Sequence, residues 1–200
     1  MEHFNYGENE LSHLRSRDKI LGEVIDKLGF LKRPITSDMF VALIESIISQ
    51  QISSKAAATV NRRVYELLGQ ITPESIAETN HFHIQKCGMS LKKASYIKIA
   101  ADAVLSGAVD FTEFPNMNDQ QVIEKLISLP GVGVWTAEML MIFSLQRPNI
   151  LSFDDLVIRR AMTKLYGLND ISKEVFDKYR KLYSPYCSVA SLYLWEVSDN

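Results

Sequence analysis

Apolar residues recur three and four positions apart along almost the whole of this 200-residue chain, and that spacing limits what it can fold into. After Ser37, a candidate cap, Met39, Phe40, Leu43, Ile44, Ile47 and Ile48 share one helical face. SSKAAATVNRRVYELLG sets Ala56, Val60, Val64 and Leu67 on a stripe closed by Gly69. SLKKASYIKIAADAVLSG runs from Ser90 as cap to Gly107 as stop. Further helical patterns lie in NDQQVIEKLISL, GVWTAEMLMIFSL, DDLVIRRAMTKLYG, SKEVFDKYRKLY and SVASLYLWEVS, and Leu11 to Leu28 reads as one amphipathic helix. Period-2 alternation bounded by hairpin turns is missing. The expectation is an all-α fold of roughly nine or ten helices. Asp110 to Asn118 reads as the longest irregular connection; it is short and carries Phe111 and Phe114, so it is not a domain linker.

Bulk composition excludes more than it suggests. Net charge is −2, so any nucleic-acid surface must be a local patch. Lys55, Arg62, Arg63, Lys92 and Lys93 are candidates for one, although each residue alone is as well explained by solvation. Two cysteines, Cys87 and Cys187, cannot build a disulfide framework or supply the four thiolates of an iron–sulfur cluster. His81 and His83 with Cys87 match no common zinc spacing. No apolar stretch is long enough to cross a bilayer, and the start MEHFNYGENELSHL has neither a cationic nor an apolar run. A cytoplasmic protein is expected, or a nuclear one if the source has a nucleus.

Two short stretches carry the chemistry. In LPGVGVW, from Leu129 to Trp135, the proline and two glycines favour a tight turn that opens a helix near Val134. Gly131 and Gly133 can take positive φ and leave backbone amides uncovered. Amides at a helix N-terminus form an anion site that needs no basic side chain. Such a turn would hold a DNA phosphate without reading bases; it would serve equally as an ordinary helix connection. In NILSFDDLVIRR, Asp154 and Asp155 stand together at a second helix start, where acids commonly cap.

The block LISLPGVGVWTAEMLMIFSLQRPNILSFDDLVIRRA resembles the helix–hairpin–helix (HhH-GPD) DNA glycosylase superfamily, in its alkylation-repair branch of 3-methyladenine DNA glycosylases. IISQQISSKAAATV resembles the family segment whose loop inserts a wedge into the duplex. GMSLKKASYIKIAADAV resembles the segment written G-L/M-S-x-x-K-A-x-Y-I, and YSPYCSVASLYLW the C-terminal helix of the branch. The four blocks stand in the family order, and only about the first 35 residues go unmatched.

The resemblance implies two helical subdomains flanking an active-site cleft: residues 37–145, containing the hairpin 129–134, and 1–36 with 146–200. It implies that the second acid of the doublet, Asp155, is catalytic, with Asp154 beside it in the base pocket. It also implies that Gln51, flanked by Gln50 and Ile52, fills the gap left by a displaced base. Gly131, Val132, Gly133, Val134 and Thr136 would grip phosphate, and hairpin carbonyls could hold a structural sodium or potassium ion. No other cofactor is expected, and a monomer on double-stranded DNA is. Bifunctional members carry a nucleophilic lysine where this chain has Trp135, and no lysine lies between Lys125 and Lys164. Without that amine there is no Schiff base, which implies a monofunctional enzyme of base excision repair that leaves an abasic site.

An alkylated purine is cationic, and an indole face attracts a desolvated cation by about 2 kcal/mol. Trp135 therefore suits such a base, though tryptophans also serve cores. Tyr186 lies where the branch has an aromatic residue near the pocket; a plain buried tyrosine fits as well. Cys187 departs from the arginine common there, a change expected to reshape the pocket rim or remove a surface ion pair. The rival readings are a non-catalytic hairpin protein that binds DNA or lesions, a glycosylase for another damaged base, and an all-helical interaction module.

Overall fold

A polar residue stands at the start of most helices and closes its first amides with its own side chain. The computed structural model describes residues 2–199. In chain order the helices are α1 (Glu8–Arg17), α2 (Lys19–Leu28), α3 (Met39–Ser49), α4 (Ser54–Leu68), α5 (Pro73–Glu78), α6 (His81–Lys86) and α7 (Leu91–Leu105). A 3-10 helix (Phe111–Asn116) leads to α8 (Asp119–Ile127), α9 (Val134–Phe143), α10 (Leu156–Tyr166), α11 (Lys173–Tyr183) and α12 (Cys187–Asp199). The described residues contain no strand, only an isolated bridge between His3 and Pro34. None of these helices is long and apolar enough to cross a membrane.

The expected helix count was low for identifiable reasons. Leu11 to Leu28 is two helices, because Asp18 leaves α1 in extended backbone (φ −140°) and caps α2 by accepting from Ile20 and Leu21 N. The six-residue α5 and α6 are too short to display a period. The segment around Phe111 is a 3-10 helix that buries Phe114. Asp38, one residue beyond Ser37, caps α3 by accepting from Val41 N at 3.0 Å.

Two compact units emerge: Thr36–Leu140, the inner unit, and Met1–Ile35 with Met141–Asn200, the terminal unit. The division falls within α9. In the inner unit α7 packs on α3, α5 and α6, burying Ala94, Ile97, Ala100 and Ala101. Lys98 of α7 donates to Ile76, Ala77 and Thr79 O, closing carbonyls at the end of α5 that its last turn leaves without a helical partner.

In the terminal unit α12 packs on α1, α2, α10 and α11. Its run Val189, Ala190, Leu192, Tyr193 and Leu194 is buried, as expected of a helix apolar all round. The second carboxylate oxygen of Asp18 accepts from Tyr166 Oη at 2.6 Å and Tyr183 Oη at 3.3 Å. One buried acid therefore caps α2 and binds it to α10 and α11.

Candidate functional site

In the inner unit, two loops stand on α7. The first follows α3. Gln50 leaves the helix at ψ 132°, and Gln51 adopts φ 58°, a left-handed conformation uncommon for a residue with a side chain. Gln51 and Ile52 are exposed, Ile52 at 40%. Gln50 does not stand beside them as a second free wedge: its Nε2 donates to Gly131 O at 2.8 Å, tying this loop to the hairpin. Behind the loop lies a depression of about 210 Å³, lined in part by Gln51, Ile52, Met89, Ser90 and Lys93.

The second loop is the hairpin. Gly131 has φ +86°, and a Cβ there would stand 2.3 Å from Tyr96 Cδ2 of α7. Both the backbone and the space require glycine. Gly133, also expected to use positive φ, does not; a Cβ on it would meet nothing within 4 Å. Val132 N donates to Leu129 O, and Val132 and Thr136 are buried. Any part that Thr136 plays toward a phosphate therefore falls to its main chain, while the Val132 amide is already given to Leu129 O. Gly133, Val134 and Trp135 form the exposed run at the start of α9, with the indole 43% exposed.

Four of the five basic residues have other work. Lys93 Nζ donates to Ile48 O at 2.8 Å and Gln50 O at 2.5 Å. Arg63 donates to Cys87 O, Arg62 pairs with Glu66, and Lys92 lies over the Tyr96 ring at 5.7 Å. His81 stacks on Phe82, the Cys87 thiol reaches His83 O, and no metal-binding cluster occurs among the described residues.

In the terminal unit the aspartates separate. Asp154 is exposed and Asp155 is 4% exposed. Asp155 is the cap of α10: Oδ1 accepts from Val157 N at 2.9 Å and Ile158 N at 3.0 Å. Its Oδ2 accepts from Trp195 Nε1 at 3.2 Å, and the Trp195 ring lies 5.4 Å from Phe143. Capping uses Oδ1 alone of the two carboxylate oxygens. A carboxylate at a helix N-terminus, held by fixed donors, suits stabilisation of a developing positive charge. Trp195 was missed by sequence reasoning; it lies forty residues from Asp155, and no local pattern links them.

Tyr186 is half-buried, its ring edge-on to His13 at 5.1 Å, while the His13 ring reaches Ser184 O. Cys187 is fully buried, and its thiol donates to Arg180 O at 3.2 Å. Burial pushes that thiol up to about 12. Position 187 therefore belongs to the interior of the terminal unit.

An all-helical chain with a glycine hairpin and a buried aspartate at a later helix cap defines a class of helix–hairpin–helix proteins. The model of the HhH-GPD superfamily of base excision DNA repair proteins matches residues 44–185, and this chain belongs to that superfamily. It is 35% identical over 161 residues to DNA-3-methyladenine glycosylase 1 of Schizosaccharomyces pombe, covering 78% of this chain and 71% of that one. The crystal structure of DNA-3-methyladenine glycosidase from Bacillus halodurans superposes with TM-score 0.89 at 35% identity, over 99% of this chain and 93% of the other. The Schizosaccharomyces pombe 3-methyladenine DNA glycosylase in complex with abasic DNA gives TM-score 0.83 at 30% identity, over 96% and 98%.

Proposed function

We propose that this protein is a monofunctional DNA glycosylase that binds duplex DNA and excises N3- and N7-alkylated purines by hydrolysing the N-glycosidic bond. The observation that carries the reading is Asp155: a buried carboxylate fixed by two helix amides and the Trp195 indole. Relatives named for 3-methyladenine support the substrate class.

The lesion leaves the base stack, at a cost of a few kcal/mol that is smaller for a damaged pair. Gln51, exposed at its loop tip, fills the space, with Ile52 beside it. Hairpin amides of Gly131, Gly133, Val134 and Thr136 hold a phosphate. Trp135 offers an exposed indole to the cationic purine. As the bond breaks, positive charge grows on the sugar; Asp155 stabilises it and directs the attacking water. An already cationic base leaves without an acid's help.

Trp135 in place of a nucleophilic lysine supports release of an intact abasic strand. The enzyme works as a monomer wherever the genome lies, in cytoplasm or nucleus. It needs no metal for chemistry, so base release is expected to survive EDTA. A structural sodium or potassium ion would draw on hairpin carbonyls such as those of Leu129 and Gly131. Both already accept one donor, at 3.2 and 2.8 Å, and each keeps a second lone pair.

The test is single-turnover base release from methylated duplex DNA, wild type beside Asp155→Asn, with and without hot alkali. Release by wild type alone, with breaks only after alkali, is expected. Breaks without alkali would reveal a lyase. Tight binding without release of any methylated base would favour a non-catalytic DNA binder or another damaged base.

A further inference from the structure

Helix α7 reaches both loops of the inner unit through one of its own faces. Lys93 and Tyr96 are three residues apart, so they are neighbours on the helix surface. Lys93 grips the end of α3 through Ile48 O and Gln50 O, and Tyr96 fills the space against Gly131 that only glycine leaves open. Gln50 then joins the two loops directly through Gly131 O.

The first loop needs such support. The last turn of α3 presents carbonyls with no helical donor, and Gln51 sits in a left-handed conformation that a non-glycine residue holds only when its surroundings impose it. The Lys93 ammonium supplies the missing donors from a half-buried position, where burial lowers its pKa. An ammonium committed to two carbonyls is poorly placed to serve as a phosphate arm.

We propose that Lys93 is a positioning residue: by holding Ile48 and Gln50 it fixes the loop so that Gln51 enters the space vacated by the displaced base. This rests on the reading of Gln51 as the filling residue. Without Lys93 the loop samples other conformations and excision slows. A misplacement of about 1 Å is enough to cost on the order of 100-fold. Phosphate contacts are untouched, so the salt dependence of binding stays as in wild type.

The experiment compares wild type, Gln51→Ala, Lys93→Met and Lys93→Arg on two methylated duplexes. One has an ordinary pyrimidine opposite the lesion; the other has a pyrene nucleotide, whose flat ring occupies the vacated space itself. Gln51→Ala and Lys93→Met are expected to be slow on the first and to recover on the second. Lys93→Arg, which keeps donors for both carbonyls, recovers much of the loss on the first. If Lys93→Met proves unstable, Gln50→Ala, which frees the same loop from the hairpin, is compared in its place.

Recovery of Gln51→Ala but not of Lys93→Met overturns the positioning role. So does a salt slope for Lys93→Met shallower by about one, the mark of a lost phosphate contact. A Gln51→Ala variant that is not slowed, or not recovered by pyrene, sinks the filling role of Gln51, and the proposal with it.

Discussion

Asp154 and Asp155 carry the same carboxylate, and their surroundings separate them, one facing solvent and the other fixed by Val157, Ile158 and Trp195. Replacing Asp155 by Asn removes the charge and leaves one acceptor oxygen where the aspartate uses two, so excision is expected to fall about 100- to 1,000-fold. Asp154→Asn should stay within a few-fold of wild type. Trp195→Phe keeps an aromatic ring beside Phe143 but loses the N–H together with one ring of the indole. A hydrogen bond to a charged group contributes about 1.5–3 kcal/mol, so the single-turnover rate should drop roughly tenfold or more with DNA affinity unchanged. Equal losses in binding and rate would reduce Trp195 to a packing residue. The acid doublet is legible in the sequence; which acid is buried depends on a tryptophan on another helix. Lys93 is a parallel case: at a helix start it reads as a solvated lysine, and its carbonyl partners lie more than forty residues away.

Both glycines of LPGVG read alike, yet only Gly131 has positive φ and lies against Tyr96. Gly131→Ala combines left-handed strain with a 2.3 Å approach to that ring, and a stability loss of about 1–3 kcal/mol is expected. Gly133→Ala has open space, so its stability should remain within about 1 kcal/mol of wild type. Its methyl group projects from the exposed turn, and DNA affinity should fall instead. Chemical denaturation and DNA titration of the two variants read the contrast; stability losses of equal size would show that the turn's conformation has been misassigned. Long helices are legible because burial writes a 3.6-residue period into them. The break at Asp18 is not, because that acid turns inward to Tyr166 and Tyr183, which no local pattern announces. Nor are α5 and α6, six residues each.

At the scale of the molecule, a net charge of −2 is compatible with DNA repair ancestry, because amides at a helix N-terminus can bind phosphate without cationic side chains. The same reliance on interior polar contacts sets how the chain responds to pH. In the terminal unit, burial raises Tyr183 and Tyr166 above the ordinary tyrosine value, and the nearby Asp18 carboxylate adds to the shift. Such a phenol stays protonated in the folded chain after its unfolded counterpart has ionised near pH 10. The unfolded state then binds fewer protons than the native one, so stability falls as pH rises. The contribution is intact below about pH 10 and is lost progressively above it, at up to about 1.4 kcal/mol per pH unit for each such group. Tyr183 is fully buried and should give the clearest signal. Thermal unfolding followed from pH 8 to pH 11 is expected to show a Tm that turns downward near pH 10. Tyr183→Phe, which leaves Tyr166 Oη on Asp18, should flatten that descent while lowering Tm at neutral pH. A descent equally steep in both proteins would place the alkaline sensitivity elsewhere than at Tyr183.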